Sequence, residues 1–228
     1  TVFINMISKS TLQFLKDIAA NNHKEWFEAN KEVYLKSQEN IKQFMLDVEK
    51  RLNQTDVIEG SKLYRIYRDV RFSKDKTPYK NYFSGYFKRK GAARRGSYYL
   101  SIEPGNTLIG GGFYGPNKED LFRIRKEFEA DGTHIENIVN HPSFIKHFGS
   151  LQGDGVATAP KGFEKAHPHI KWIRKKQFFA FEKFTDKEVL SDDFEEKVLG
   201  AFLAIRPFFD YMSDVLTTNL NGESVLDS

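Results

Sequence analysis

In this 228-residue chain the hydrophobic set makes up 39% and charged residues 29%, and Phe alone occurs 21 times, which excludes a globally disordered polymer and supplies a packed core. Cysteine is absent, excluding disulfides, thiolate nucleophiles, zinc fingers and iron–sulfur ligation, and fitting a reducing, cytoplasmic location. The formal net charge is only +4, yet residues 62–95 hold twelve Lys and Arg against two acids, Asp69 and Asp75, and a field polarised to that degree points to an anionic partner.

In chain order, TVFINMISKSTLQF carries an apolar patch too short for a secretory signal, and no window reaches the roughly 18 apolar residues a membrane span needs, so no membrane partner is expected. Ser10 or Thr11 can cap a helix carrying Leu12, Leu15, Ile18 and Ala19. Asn22, with Glu25 three residues later, reads as a capping box that opens the next helix. Val33, Ser37, Ile41, Phe44, Met45, Val48 and Leu52 recur at helical spacing and are read as core. From Leu63 the character turns to β. The runs 82–89, 97–103 and 107–114 are aromatic or β-branched and punctuated by turn residues, as in an antiparallel meander. EPGN at 103–106 is a tight turn, with Pro104 supplying φ and Gly105 a positive φ. Lys88, Arg89, Lys90, Arg94 and Arg95 read as the solvated tip of a hairpin around Gly91 and Gly96. Gly110, Gly111 and Gly112 imply close backbone packing, with a ligand floor as the alternative.

Asn117 then caps a helix with Leu121, Ile124 and Phe128 inward and Gly132 as its stop. Two short helices follow, from Thr133 and from Pro142. A Gly-, Ala- and Pro-rich loop leads to a one-turn helix at Pro168 and a strand over 177–184. The last helix starts near Ser191 or Asp192 and buries Phe194, Val198, Phe202, Ile205, Phe209 and Met212, with Pro207 kinking it. Helices flanking a run of strands, without βαβ alternation, predict an α+β fold: one antiparallel sheet packed against several helices, as a single domain over 1–228.

The segment RIYRDVRFSKDKTPYK, residues 65–80, is the candidate site. It gathers Arg65, Arg68, Arg71, Lys74, Lys76 and Lys80, and like charges held this close require a neutralising anion. Arginine offers planar paired donors and lysine a point charge, and Ser73 with loop N–H groups completes a cradle for a phosphate or carboxylate. Asp69 orients an arginine and Tyr79 caps the pocket. If the protein is an enzyme, Asp75 or Glu103 is the acid–base candidate. Two other readings stay open. The arginines can pair with helix acids such as Glu119–Asp120 or Asp192–Asp193, making a non-catalytic scaffold. Alternatively, the whole 62–95 patch serves a nucleic-acid-associated module, although the rings within it (Tyr64, Tyr67, Phe72, Tyr79, Tyr82, Phe83, Tyr86, Phe87) are read chiefly as core.

Familiar motifs are missing: there is no GxxxxGK[ST], no GxGxxG after a strand and no GxSxG. SxxK occurs twice, at Ser73 and Ser143, and so carries no information. No two histidines have the spacing of a shared metal face, so neither metal nor cofactor is expected.

Together with YYLSIEPGN, IGGGFYGPN and PKGFEKAHP, the 65–80 segment resembles a family of bacterial and fungal proteins defined as a conserved domain of unknown function, over about residues 11–215. The resemblance implies one α+β domain and brings no established activity. The family pattern often has His where this chain has Ser101 and a second Gly where it has Asn106, departures that argue against a mechanism needing an imidazole there.

Overall fold

A computed structural model describes residues 6–226. The apolar stripe of the first third folds into three helices. In α1 (Lys9–Ala20) Leu12, Phe14, Leu15 and Ile18 are buried, and the cap is Ser8, whose hydroxyl accepts the Thr11 N–H, rather than Ser10 or Thr11. The next helix, α2 (Lys24–Ala29), is capped by His23, not by the expected Asn22, whose side chain is engaged 57 residues away. On the long α3 (Lys31–Leu52), which packs against α1 and α2, the inward stripe is Tyr34, Ser37, Ile41, Phe44, Met45, Val48 and Leu52. Val33, although four residues before Ser37, lies outside it and is exposed, because Tyr34 takes the inward position in that turn.

Five strands, β1 (Ile58–Leu63), β2 (Phe83–Arg89), β3 (Ser97–Ile102), β4 (Thr107–Phe113) and β5 (Phe178–Phe184), form one antiparallel sheet in the order β1-β2-β3-β4-β5. The fold is α+β. Strand β1 starts before Leu63, in IEGSKL, a stretch with little aromatic or β-branched signal. Between β3 and β4, Gly105 adopts φ 74° and the Asn106 N–H donates to the Glu103 carbonyl at 2.9 Å, the turn expected of EPGN. Helices α4 (Lys118–Ala130), capped by Asn117, α5 (Thr133–Val139), α6 (Pro142–Phe148) and α7 (Ile170–Ile173) precede β5. After it comes a short α8 (Asp186–Val189), unanticipated, with a Thr185/Glu188 capping box. Helix α9 (Phe194–Thr217) is continuous through Pro207 and begins slightly later than Ser191.

The chain divides into two compact units. One comprises the chain through Phe87, Tyr99–Ile109 and Lys183–Gly200. Its core is aromatic: Phe14 stacks on Phe83 at 6.2 Å and Phe44 on Phe194 at 5.5 Å. The other comprises Lys88–Tyr98, Gly110–Glu182 and the chain from Ala201 onward. There Tyr98 packs on Phe202 and Phe209 at 4.9 and 5.0 Å, and Phe128 on Phe178 at 5.9 Å.

The second unit corrects one reading of the basic patch. Lys88, Lys90 and Arg94 are exposed, but Arg89 is 4% exposed and ion-pairs with Asp210, while Arg95 pairs with Asp120 at 2.5 Å. Strand alternation explains Arg89: Phe87 and Arg89 share the inward face and Lys88 the outward one.

The glycine run of β4 is also accounted for by packing. A Cβ on Gly110 would collide with the Ala180 carbonyl, one on Gly111 with that of Ser97 and one on Gly112 with that of Phe178. Only glycine lets these backbones approach. Gly110→Ala is therefore expected to cost about 3 kcal/mol, whereas Gly115→Ala, with no neighbouring atom within 4 Å of its added carbon, should stay within about 0.5 kcal/mol; urea unfolding measures both.

Candidate functional site: the cleft under the 64–82 arm

Between β1 and β2 the chain extends as a two-stranded arm. The ladder continues through Tyr64 N–H to Ser84 O (2.8 Å), Lys80 N–H to Ile66 O (2.8 Å) and Arg68 N–H to Pro78 O (2.9 Å), with a Tyr67–Tyr79 bridge. Proline fits position 78 because that residue contributes only its carbonyl to this ladder bond.

Side chains close the tip. Asp75 accepts the Thr77 N–H and hydroxyl, both at 2.9 Å, and pairs with Arg68 at 2.5 Å. Arg68 also donates to the Thr77 carbonyl at 3.0 Å and to its hydroxyl. The Thr77 N–H, then the Thr77 hydroxyl and Arg68, hold the Asp75 carboxyl below its usual range. Arg71 grips Asp69 with two donors, at 2.9 and 2.6 Å, and Lys76 donates to the Val70 carbonyl at 2.9 Å.

The base of the arm is tied to the helices. Asn22, between α1 and α2, accepts the Tyr79 N–H at 3.0 Å and donates to the Tyr79 carbonyl at 2.8 Å. The buried Tyr79 ring stacks on Phe27 with centroids 4.1 Å apart.

This tie leaves a cleft of about 400 Å³, walled by Ala19 and Asn22 on one side and by Arg68, Asp75, Thr77 and residues 79–82 on the other. Lys80 and Arg68 bring positive charge to its wall. The ammonium lies 5.6 Å from the centre of the Tyr64 ring and 5.7 Å from that of Tyr82. Partial burial, and then the neighbouring Arg65, push its pKa below the ordinary lysine value. Beside it Asn81 donates to Glu103 at 3.1 Å, and Asn106 donates to the other Glu103 oxygen at 2.9 Å. A second cavity of about 430 Å³ shares Ala19 and Asn81, and Asp186 in its wall is held by Lys16 at 2.9 Å and the Gly105 N–H at 2.7 Å.

Of the residues expected to form an anion cradle, Arg68, Tyr79 and Lys80 line this cleft, with Asp75 from the acid–base pair. Arg65, Asp69, Arg71, Ser73, Lys74 and Lys76 do not belong to its walls, and Asp69 and Arg71 face solvent as a pair. Glu103 reaches it through Asn81. Of the four helix acids considered as partners, Asp120 pairs with Arg95 and Asp193 with Lys197. Asn81, which carries no role in the sequence reading, belongs to the cleft together with Asn22, read there as a helix cap, and Tyr82, read chiefly as a core ring. For Asn22 the local signal was misleading, since an Asn followed three positions later by Glu is also how a helix begins.

The match to known families spans this whole constellation. A family model described as "Conserved hypothetical protein (DUF2461)" matches residues 10–211. The chain belongs to this family. Family kinship inferred from the motifs is thereby met, and every wall of both cavities lies inside the matched span of the DUF2461 chain. No curated protein and no solved structure matches it. Among the described residues no group of three His, Asp or Glu is placed to hold a metal, and no helix is long and apolar enough to cross a membrane.

Two outcomes are expected for the arm. Asn22→Ala removes both bonds to the Tyr79 backbone and should lower stability by about 2 kcal/mol in urea unfolding, with faster amide exchange at Tyr79. Because the Asp75 pKa is lowered, its clasp is fully present above the unfolded-chain value near 3.8 and is lost as pH falls through the folded value. Exchange protection at Thr77 should therefore persist below that pH and disappear in Asp75→Ala, which offers the Thr77 N–H no side-chain acceptor.

Proposed function

We propose that this chain binds a small phosphate- or carboxylate-bearing ligand in the cleft, with Lys80 as its principal charge. One observation carries the reading. Lys80 is held partly out of water between two phenol rings and, among the described residues, has no carboxylate within ion-pair distance. Ring contacts return only about 0.5–1 kcal/mol, less than a carboxylate or phosphate partner would, so an incoming anion recovers solvation that the fold withholds. Arg68 brings a second positive charge that Asp75 holds in place, and Asn22, Asn81 and the Tyr82 hydroxyl supply neutral groups that orient a polar ligand.

The reading is one of binding. Asp75 is kept ionised and its oxygens already serve Thr77 and Arg68, which makes it an orienting acceptor rather than a proton donor near neutrality. Glu103, with one amide on each oxygen, positions Asn81. The cysteine-free sequence fits binding in a reducing compartment such as the cytosol.

A thermal-shift panel of inorganic phosphate, sugar phosphates, nucleotides and carboxylates, run on wild type and Lys80→Met, tests this. A ligand at about 100 times its Kd adds about 2.7 kcal/mol, a Tm rise of roughly 5–10 °C for a chain of this size. Lys80→Met should abolish that rise while leaving the unliganded Tm unchanged or higher. The sign follows from the lowered pKa: between it and the ordinary lysine value the folded protein binds fewer protons than the unfolded chain, so unliganded wild type gains stability as pH rises through that window. Lys80→Met should lose this pH dependence. If none of these anions shifts the wild-type melt, the reading fails.

A further inference from the structure

We propose that the tip of the arm is a docking surface for single-stranded nucleic acid, with Phe72 as the stacking platform. Phe72 is 96% exposed, the most exposed of the large apolar side chains described. Its loop is not loose: the Asp69–Arg71 grip, the Ser73 N–H bond to the Val70 carbonyl, the Lys76 bond to the same carbonyl and the Arg68–Asp75 clasp all hold it. A benzyl ring displayed by a preorganised turn, with no apolar packing partner among the described residues, is placed for a ligand outside it.

The surroundings identify the ligand by charge. Both acids of the segment are used on arginines, Asp69 on Arg71 and Asp75 on Arg68, so Lys74 and Lys76, both exposed, give the tip a net positive charge. The Arg71 guanidinium lies 5.9 Å from the Phe72 ring centre. One flat apolar face bordered by cations matches a polyanion that carries a flat face on every unit, which is what a single strand offers: a base for the ring and phosphates for Lys74 and Lys76. An intact duplex keeps its base faces stacked and offers none to Phe72. An anionic bilayer fits less well, because the ring's neighbours Arg71, Ser73 and Lys74 are polar and supply no further apolar area to insert. Phe72, Lys74 and Lys76 stand outside the cleft walls, so this surface is independent of the anion site.

Fluorescence anisotropy of a labelled oligothymidylate of about 20 nucleotides, titrated with the full chain at low salt, decides the matter. Wild type should bind, with affinity falling steeply as salt rises. Phe72→Ala should weaken binding about 5- to 150-fold, the range of one stacked base, while melting with wild type because the ring lies outside the core. Phe72→Trp should retain affinity, and its additional tryptophan emission should be quenched by the strand. Lys74→Glu, at a residue that makes none of the bonds holding the loop, should flatten the salt dependence, and Lys80→Met should leave strand binding as in wild type whatever becomes of the cleft ligand. The proposal is overturned if wild type does not bind the strand, if Phe72→Ala binds as wild type does, if a duplex of equal length binds as tightly, or if phosphatidylglycerol vesicles capture the protein through Phe72 when the strand does not.

Discussion

The Asn22 amide does for Tyr79 what a neighbouring strand would do, meeting its N–H and its carbonyl together. A two-stranded ribbon in water is marginal by itself, and among the described residues no third strand lies beside the 64–82 arm. It becomes an ordered element because this amide and the Tyr79–Phe27 stack fasten its base to α2 and to the junction before it. The cleft follows from that attachment. With Tyr79 drawn inward, Lys80 is left between Tyr64 and Tyr82, and Asn81 reaches Glu103. The clasp of Arg68, Asp75 and Thr77 then fixes the distal wall.

The basic stretch resolves into separate tasks once partners are assigned. Arg68, Arg71, Arg89 and Arg95 are all in carboxylate pairs, whereas Lys74, Lys76 and Lys80 are in none among the described residues. At the four paired positions a planar, multiply donating guanidinium locks a geometry, whereas an ammonium on a flexible stem does so poorly but remains available to a mobile anion; Arg65 and Arg94, in no carboxylate pair among the described residues, stand outside this division. Charge that looked like one patch along the chain is thus structural in Arg89 and Arg95, shapes the arm in Arg68 and Arg71, and is left for ligands at Lys80 and at the tip.

Much of the scaffold was legible in the sequence because its signals are local. The stripe from Ser37 to Leu52, the Asn117 cap, the strand runs 82–89 and 107–114 and the EPGN turn each depend on residues within a few positions of one another, and each recurs in the structure. The candidate site was legible only in part. Its address, residues 65–80, came from charge density, but density does not say which cations face inward, and only Arg68 and Lys80 of the six do so at the cleft.

Composition and periodicity by themselves determined the α+β class and the core-facing positions of most helices, while the resemblance to a family of unknown function rested on four motifs and is met by the family model over residues 10–211. Tertiary structure alone decided that Asn22 leaves its helix to hold Tyr79, that Arg89 is buried on Asp210, that Gly110–Gly112 make room for neighbouring backbones, and that Phe72 stands in water while Tyr79 is core. The reason is the same in each case. A side chain's partner 57 or 121 residues away competes with its local options, and which one wins depends on where the fold brings the distant group.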